Sequence, residues 1–295
     1  MNQEDYARPG TVRAALIWGE RELGAAGDRH SRLTAEILLG HALGWDRIRV
    51  LSSPSEALSP DQQDRFLSAV RRRRAGEPLQ YIIGRREFYG RSFRVTPDVL
   101  IPRPETERLV ERAVELAEAC LGGKTCFVDV GTGSGCIAVS FACQVGGAWG
   151  YGTDSNPAAL AVARANLVQH QVASRIGLVC GDLLEPFRPQ PVFDLALCNL
   201  PYIGMKEMGT LPREVVDFEP RQAVFAGPSG TEAYARLFPQ AAACLRRGGY
   251  LLFEMDPPQA EELRQRATCA GFEVVEILSD VRRLPRCIVA RRSHG

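Results

Sequence analysis

Hydrophobic and polar positions change their period part-way along the chain. Up to about residue 80 the apolar residues recur at helical spacing. Val12, Leu16 and Leu23, with Ala15 and Ile17 between them, mark one amphipathic helix, closed by Gly24 and Gly27. Leu33, Ile37, Leu38 and His41 mark a second, with Ser31 as its N-cap candidate, and residues 61–74 form a third behind Ser59-Pro60. This predicts a small helical bundle over residues 1–83. The run Arg71 to Arg74 closes the third helix, where positive charge suits the carbonyl end, and it also offers a partner-binding patch.

Two short strand-like runs then flank Gly90-Arg91-Ser92, which reads as a β-hairpin. Pro97, Pro102 and Pro104 follow as a stiff connection, so residues 84–104 are expected to join the bundle to a second domain over 105–295. Pro104 suits the first turn of a helix running from Glu105 to Leu121. From residue 126 onward, strand patterns (126–130, 149–153, 176–180, 193–198, 250–254, 273–278, 286–290) alternate with helical ones (135–144, 157–170, 232–246, 258–270). The runs Phe127-Val-Asp-Val130 and Asp194-Leu-Ala-Leu-Cys198 are nearly continuous and apolar, as strands covered on both faces are. Strand–helix alternation predicts an α/β fold with a parallel, doubly wound sheet of seven strands, Rossmann-like, and a helix-free return at its end.

Composition narrows the classes. A chain of 295 residues that is 45% hydrophobic can fill a sizeable core. Its net charge of +1 lacks the basic excess of a nucleic-acid binder. Nine cysteines form no Cys-x-x-Cys pair and several sit in apolar runs, so they read as reduced core thiols, and four scattered histidines offer no metal cluster. No secretory leader and no stretch of about 18 apolar residues is evident, so a soluble, cytoplasmic protein without membrane association is expected.

The most informative segment is Asp129-Val-Gly-Thr-Gly-Ser-Gly135, a glycine loop between an apolar strand and a helix. Gly131, Gly133 and Gly135, with Thr132 and Ser134 between them, let the backbone approach a ligand closely. The spacing is neither the dinucleotide fingerprint nor the phosphate loop, which also requires a lysine. About twenty residues on, the second strand ends at Asp154, placed to accept both ribose hydroxyls. The third strand leads to Asp182 and Leu183, a carboxylate for an adenine amino group and an apolar face for its ring. Together they predict a nucleoside site at the carboxyl edge of the sheet. An NAD-binding protein shares that geometry, whereas the loop spacing and Asp129 favour S-adenosylmethionine.

The fourth strand runs into Asn199-Leu-Pro-Tyr202. Asn199 can accept one N–H through its side-chain oxygen, and a carbonyl of the Leu200-Pro201 segment can accept a second. Pro201 fixes the direction of that carbonyl, and Tyr202 offers an aromatic face to a flat group. Such a pocket fits a planar –NH2, the acceptor of a methyl transfer.

Five segments occur in the order found in the release-factor glutamine methyltransferases (HemK/PrmC), and the chain resembles that family over essentially its whole length. They are Pro78-Leu-Gln-Tyr-Ile82, Ile101-Pro-Arg-Pro-Glu-Thr-Glu107, Asp129–Gly135, Asn199–Tyr202 and Phe218-Glu-Pro220. The resemblance implies methyl transfer from S-adenosylmethionine, leaving S-adenosylhomocysteine, to the side-chain amide N5 of the glutamine in the Gly-Gly-Gln loop of peptide-chain release factors one and two, without a metal. It maps the cofactor loop to Gly131–Gly135, the ribose acid to Asp154, the adenine contacts to Asp182 and Leu183, and the amide-binding motif to Asn199–Tyr202. Pro102, Arg103 and Glu105 fall in the segment implied to cover the cofactor. Leu200 stands where the family usually has Pro, Asp256 where it has Gly in Phe-Glu-x-Gly-x-x-Gln, and Arg283 where a Gly follows Asp280, while Glu254 and Gln259 match.

Two other functions compete. Asn-Leu-Pro-Tyr is common in rRNA adenine dimethyltransferases and, with Arg71–Arg74, supports a nucleic-acid adenine N6-methyltransferase; the near-zero net charge and the Ile101–Glu107 motif oppose it. A degenerate fold serving as a binding module is opposed by intact Asp154, Asn199 and Tyr202.

Overall fold

The computed structural model describes residues 9–293. They divide into two compact units: the described residues up to 84 with 213–218, and residues 85–212 with the described residues from 219 onward.

The first unit holds α1 (Val12–Ala25), α2 (Ser31–Leu43), α3 (Arg47–Ser52), α4 (Pro60–Arg74) and α5 (Leu79–Ile83). Its core gathers Leu16, Leu23, Leu38, Leu39, Phe66 and Val70. Two marked faces are corrected: Ile17 of α1 is exposed, and α2 buries Thr34, Ala35, Leu38, Leu39 and Ala42 while Leu33 and His41 face solvent. Ser59 caps α4 in a reciprocal box with Gln62. Ser31 is not a cap: it is the first residue of α2, and His30 before it makes no side-chain capping bond. Asp28 does the polar work at that helix entry, accepting the His30 N–H at 2.8 Å and the Thr34 hydroxyl at 3.0 Å.

The arginine run is largely spoken for. Arg72 pairs with Glu77, Arg73 with Asp28 and Glu214, and Arg74 with Glu22. Glu22 is buried, so the Arg74 guanidinium compensates a carboxylate at the edge of the core. The short helices α3 and α5 carry too few residues for a periodic signal, which is why the pattern missed them.

The second unit opens with a hairpin of β1 (Arg85–Phe88) and β2 (Arg91–Arg94). Its turn is Tyr89-Gly90, not residues 90–92: both have positive φ, +50° and +67°. A two-residue turn of that hand matches the twist of the paired strands. The Tyr89 N–H is held by Glu107 Oε1 at 2.9 Å. Asn166, buried, exchanges bonds with the Arg94 N–H and C=O and donates to the Ser134 carbonyl, so the hairpin is tied into this unit.

Next come α6 (Glu107–Cys120), β3 (Cys126–Val130), α7 (Cys136–Gln144), β4 (Trp149–Asp154), α8 (Pro157–Gln169), β5 (Ile176–Cys180) and β6 (Phe193–Cys198). They are followed by α9 (Arg213–Phe218, which clusters with the first unit), α10 (Arg221–Val224), α11 (Glu232–Cys244), β7 (Leu245–Glu254), α12 (Ala260–Cys269), β8 (Phe272–Ser279) and β9 (Pro285–Arg292). Pro104 opens a single 3-10 turn, Pro104–Thr106, and α6 starts only at Glu107. β7 begins five residues before the apolar run suggests. Leu245 pairs with Phe193 across the sheet, and Arg246 forms an ion pair with Asp194, which draws those residues out of the preceding helix.

The sheet has seven strands in the order β5-β4-β3-β6-β7-β9-β8, parallel from β5 to β7, with β9 antiparallel to both neighbours. Alternate residues of β3 feed opposite faces, as a strand's pleat requires. Phe127 enters one core with Val110, Phe141 and Leu167 from the covering helices, while Val128 and Val130 enter the other with Tyr234, Leu237 and Leu263. The chain leaves β3 toward β4 and β5, then returns to place β6 on the other side. This reversal opens a crevice at the carboxyl ends of β3 and β6, where doubly wound sheets bind ligands.

Candidate active site

A cleft of about 510 Å³ lies at that reversal, within the second unit. Four strand ends build it. β3 supplies Gly131, Thr132, Gly133 and Ser134; β4 supplies Asp154; β5 leads to Asp182 and Leu183; β6 supplies Asn199, Leu200 and Pro201. These sequence-predicted residues therefore converge, although they are spread along the chain from Gly131 to Pro201. Pro102 and Thr106 also line the cleft, as do Ile137, Ala159, Phe225 and Arg236.

The glycine loop is shaped from below by Asp129. This carboxylate is fully buried, and its Oδ2 accepts the Thr132 hydroxyl at 2.7 Å and the Ala138 N–H at 3.1 Å. Oδ1 has no protein partner. Burial raises its pKa to about 7, against the opposing effect of those two bonds. Gly131 has φ +72°, and a Cβ there would lie 2.8 Å from Leu200 Cδ2. Gly135 does not line the cleft. It starts α7 with φ +77° where a Cβ would press on Ala163 Cβ at 3.3 Å, so its place is the close approach of α7 to α8.

Asp154 links two strand ends. Its Oδ2 accepts the Gly133 N–H and its Oδ1 the Asn156 N–H, both at 2.9 Å. Each oxygen keeps a further lone pair for a ligand hydroxyl. Burial raises its pKa, and the two amide donors oppose that shift. At the next strand end Asp182 is held by Arg236 of α11 through two guanidinium nitrogens. Leu183 is buried with φ +50°, beside Asp182 in the cleft wall. A loop that lacks Cβ atoms at Gly131 and Gly133, an acid with spare acceptors and an apolar wall fit a nucleoside such as that of S-adenosylmethionine. Among the described residues no cluster of three metal-ligating side chains occurs.

The Asn199–Tyr202 segment departs from expectation at one residue. Asn199, Leu200 and Pro201 line the cleft, but Tyr202 does not. Its ring packs with the core cluster of β6, β7 and α11, and its hydroxyl donates to Glu254 Oε1 at 3.0 Å. Burial and the adjacent carboxylate push that phenol far above its usual range. The Tyr202 carbonyl is taken by Gln259 Nε2 at 2.7 Å. Asn199 Nδ2 donates to Thr106 Oγ1 at 3.0 Å, and the Thr106 hydroxyl donates to Glu254 Oε2 at 2.6 Å.

Thr106, Glu254, Gln259 and Arg236 thus support the site without having been read as site residues. Glu254 and Gln259 had a signal, their match to the Phe-Glu-x-Gly-x-x-Gln pattern, and Thr106 had one in its place within the Ile101–Glu107 segment; Arg236 had none, since only the fold brings it to the strand ends. Of the segment 102–105, Pro102 alone reaches the cleft. Arg103 turns to Glu219, which is buried and also accepts the Ile101 N–H at 3.4 Å, and Glu105 is exposed.

A family profile described as the PrmC N-terminal domain matches residues 14–84, and one described as a methyltransferase domain matches residues 127–218. The release factor glutamine methyltransferase of Moorella thermoacetica is 41% identical over 96% of this chain and 99% of its own. Those of Nitratidesulfovibrio vulgaris and Koribacter versatilis are each 40% identical over 96% of this chain and 96% and 99% of theirs. This chain belongs to the release factor glutamine methyltransferase family. It carries a Rossmann-like methyltransferase domain, and solved structures share the fold. The hMettl16 catalytic domain aligns over 81% of this chain and 85% of its own, with a TM-score of 0.56 at 16% identity. A methyltransferase from Pyrococcus furiosus aligns over 68% and 88%, with a TM-score of 0.50 at 17% identity. Among the described residues no helix is long and apolar enough to cross a membrane.

Proposed function

We propose that this family member transfers the methyl group of S-adenosylmethionine to the side-chain amide N5 of the glutamine in the Gly-Gly-Gln motif of peptide-chain release factors one and two. The observation that carries this reading is the setting of Asn199. Its side-chain nitrogen is occupied by Thr106 while the residue lines the cleft beside the glycine loop. Its oxygen is left to accept an amide N–H of the substrate.

In this reading Gly131, Thr132, Gly133 and Ser134 cradle the cofactor, with Gly135 setting the helix behind them. Asp154 takes the ribose hydroxyls, and Asp182 with Leu183 takes the adenine. When bound, S-adenosylmethionine supplies an electrophilic methyl group on a sulfonium. The chain's own residues position the nucleophile. Asn199 accepts one N–H of the substrate amide, and the Leu200-Pro201 backbone accepts the other, because Gln259 already occupies the Tyr202 carbonyl. Tyr202 contributes by anchoring the loop to Glu254 rather than by offering its ring. Positioning and fixed dipoles carry such a displacement. The N-terminal helical unit, residues 1–83 in this reading, grips the release factor, since one glutamine side chain offers few contacts for specificity. A release-factor substrate places the enzyme in the cytoplasm, with no direct nucleic-acid partner.

The test is mass spectrometry of a release factor after incubation with the enzyme and S-adenosylmethionine. One added methyl on the Gly-Gly-Gln glutamine, lost in Asn199→Ala with cofactor affinity retained, is the expected result. Methylation of adenine in RNA offered in parallel, with the release factor unmodified, would overturn it.

A further inference from the structure

Three residues from distant parts of the chain form a buried hydrogen-bond chain whose direction is dictated at one end. Glu254 closes β7, Thr106 lies in the 3-10 turn before α6, and Asn199 follows β6. Glu254 and Thr106 are each only 2% exposed, so water does not substitute for either partner. We infer that Glu254, acting through Thr106, is a positioning residue that sets which end of the Asn199 amide faces the cleft; this rests on the reading of Asn199 as acceptor for the substrate amide.

Donors and acceptors fix the direction of this chain. Burial raises the pKa of the Glu254 carboxyl, and the bonds from the Thr106 and Tyr202 hydroxyls oppose that shift. In the ionised form that those two donors favour, the carboxylate only accepts. Thr106 has a single hydroxyl hydrogen, and Oγ1 lies 2.6 Å from Glu254 Oε2, so that hydrogen is committed to Glu254. Toward Asn199, Thr106 then offers only a lone pair, and only the nitrogen end of the Asn199 amide can satisfy it, at 3.0 Å. The amide is planar, and fixing its nitrogen on Thr106 turns its oxygen the other way. The second oxygen of Glu254 accepts the Tyr202 hydroxyl at 3.0 Å, so the carboxylate is held from both sides of the Asn199–Tyr202 segment. The reversed amide would set its NH2 against the NH2 of a substrate, two donors without an acceptor.

Glu254→Gln preserves shape but introduces a donor, which frees the Thr106 hydrogen to turn to Asn199 and reverse its amide. Thr106→Val preserves shape and removes the relay; Thr106→Ser retains it. We would measure cofactor Kd by calorimetry, and kcat and KM on a Gly-Gly-Gln peptide by mass spectrometry. The expected result is a fall of about 10²-fold in kcat for Glu254→Gln and Thr106→Val, the size typical of losing one oriented polar group at a reacting centre. Cofactor Kd stays unchanged, and Thr106→Ser recovers most of the kcat that valine loses. Wild-type kcat in either isosteric variant, a serine variant no better than valine, or loss of cofactor binding in both isosteric variants would overturn the inference; the last would show a network serving the fold alone. If only Thr106→Val loses its fold, Glu254→Gln decides. Failure of the wild-type enzyme to methylate the peptide, or full activity in Asn199→Ala, would instead defeat the underlying reading of the site.

Discussion

Leu200 Cδ2 sits where Gly131 has no side chain: a Cβ on Gly131 would approach it to 2.8 Å. The glycine loop and the Asn199–Tyr202 loop are therefore in van der Waals register, and one loop's shape depends on the other's side chain. Gly131 also holds φ +72°. Gly131→Ala is expected to lose about 1–2 kcal/mol to backbone strain alone. Because Leu200 is buried, it has little room to yield. A lower melting temperature together with weaker S-adenosylmethionine binding by calorimetry is the expected outcome; unchanged binding would show that the two loops move independently.

Asp154 holds the glycine loop through the Gly133 N–H and its own strand end through the Asn156 N–H. Asp154→Ala removes those acceptors along with any to a ribose. Charge-assisted bonds contribute roughly 1.5–3 kcal/mol each, so a cofactor Kd at least about tenfold higher is expected in a folded variant. Asp154→Asn, which keeps one acceptor oxygen, should fall between alanine and wild type. Equal titrations for all three proteins would remove Asp154 from the site.

Leu200→Pro restores the residue the family usually carries, and from sequence it reads as tolerable provided the Leu200 N–H is free. The Leu200 side chain is buried and packed against Gly131. Proline removes most of that packing. We expect a folded protein less stable by about 1 kcal/mol, roughly the worth of one buried CH2 group. Thermal unfolding checks this; a rise in melting temperature would mean that loop stiffening outweighs the lost packing.

Asp129 gives the protein a pH-dependent element. Burial lifts its pKa from an ordinary 3.8 to about 7 in the folded state. Between those values the folded chain keeps a proton that the unfolded chain has released. Stability from this group is thus fully present below about pH 4 and is lost as pH rises to about 7. Asp129→Asn removes this dependence. The stability difference, wild type minus variant, should decline from pH 4 to pH 7 and then level off in denaturant titrations. A difference independent of pH would show that Asp129 is ionised throughout.

Much of the catalytic unit was legible in the sequence because local physics and global fold agree there. The β3 run from Cys126 to Val130 is buried at every position and could only be a strand covered on both faces. The three glycines of the loop, Asp154 and Asn199 lie at strand ends, and in a doubly wound sheet strand ends converge. Leu183 and Pro201 follow the same logic. The sequence by itself therefore determined the seven-stranded α/β architecture, the order of its strands and the residues that the strand ends bring to the cleft.

Tertiary structure decided what the chain's linear order leaves open. The turn of the hairpin fell on Tyr89-Gly90 because Glu107, eighteen residues on, holds the Tyr89 amide. Arg71–Arg74 offered a patch or a helix end in sequence, and Asp28, Glu22, Glu77 and Glu214 settled Arg72, Arg73 and Arg74 as structural ion pairs. Tyr202 reads as a substrate-facing ring, yet Glu254, 52 residues away, turns its hydroxyl into the core. Thr106 stands in a recognisable segment, but its role is set only when the fold puts it between Glu254 and Asn199. The reason is the same in each case. Periodicity and backbone preference act over a few residues, whereas a buried carboxylate must find its donors wherever the packed chain brings them.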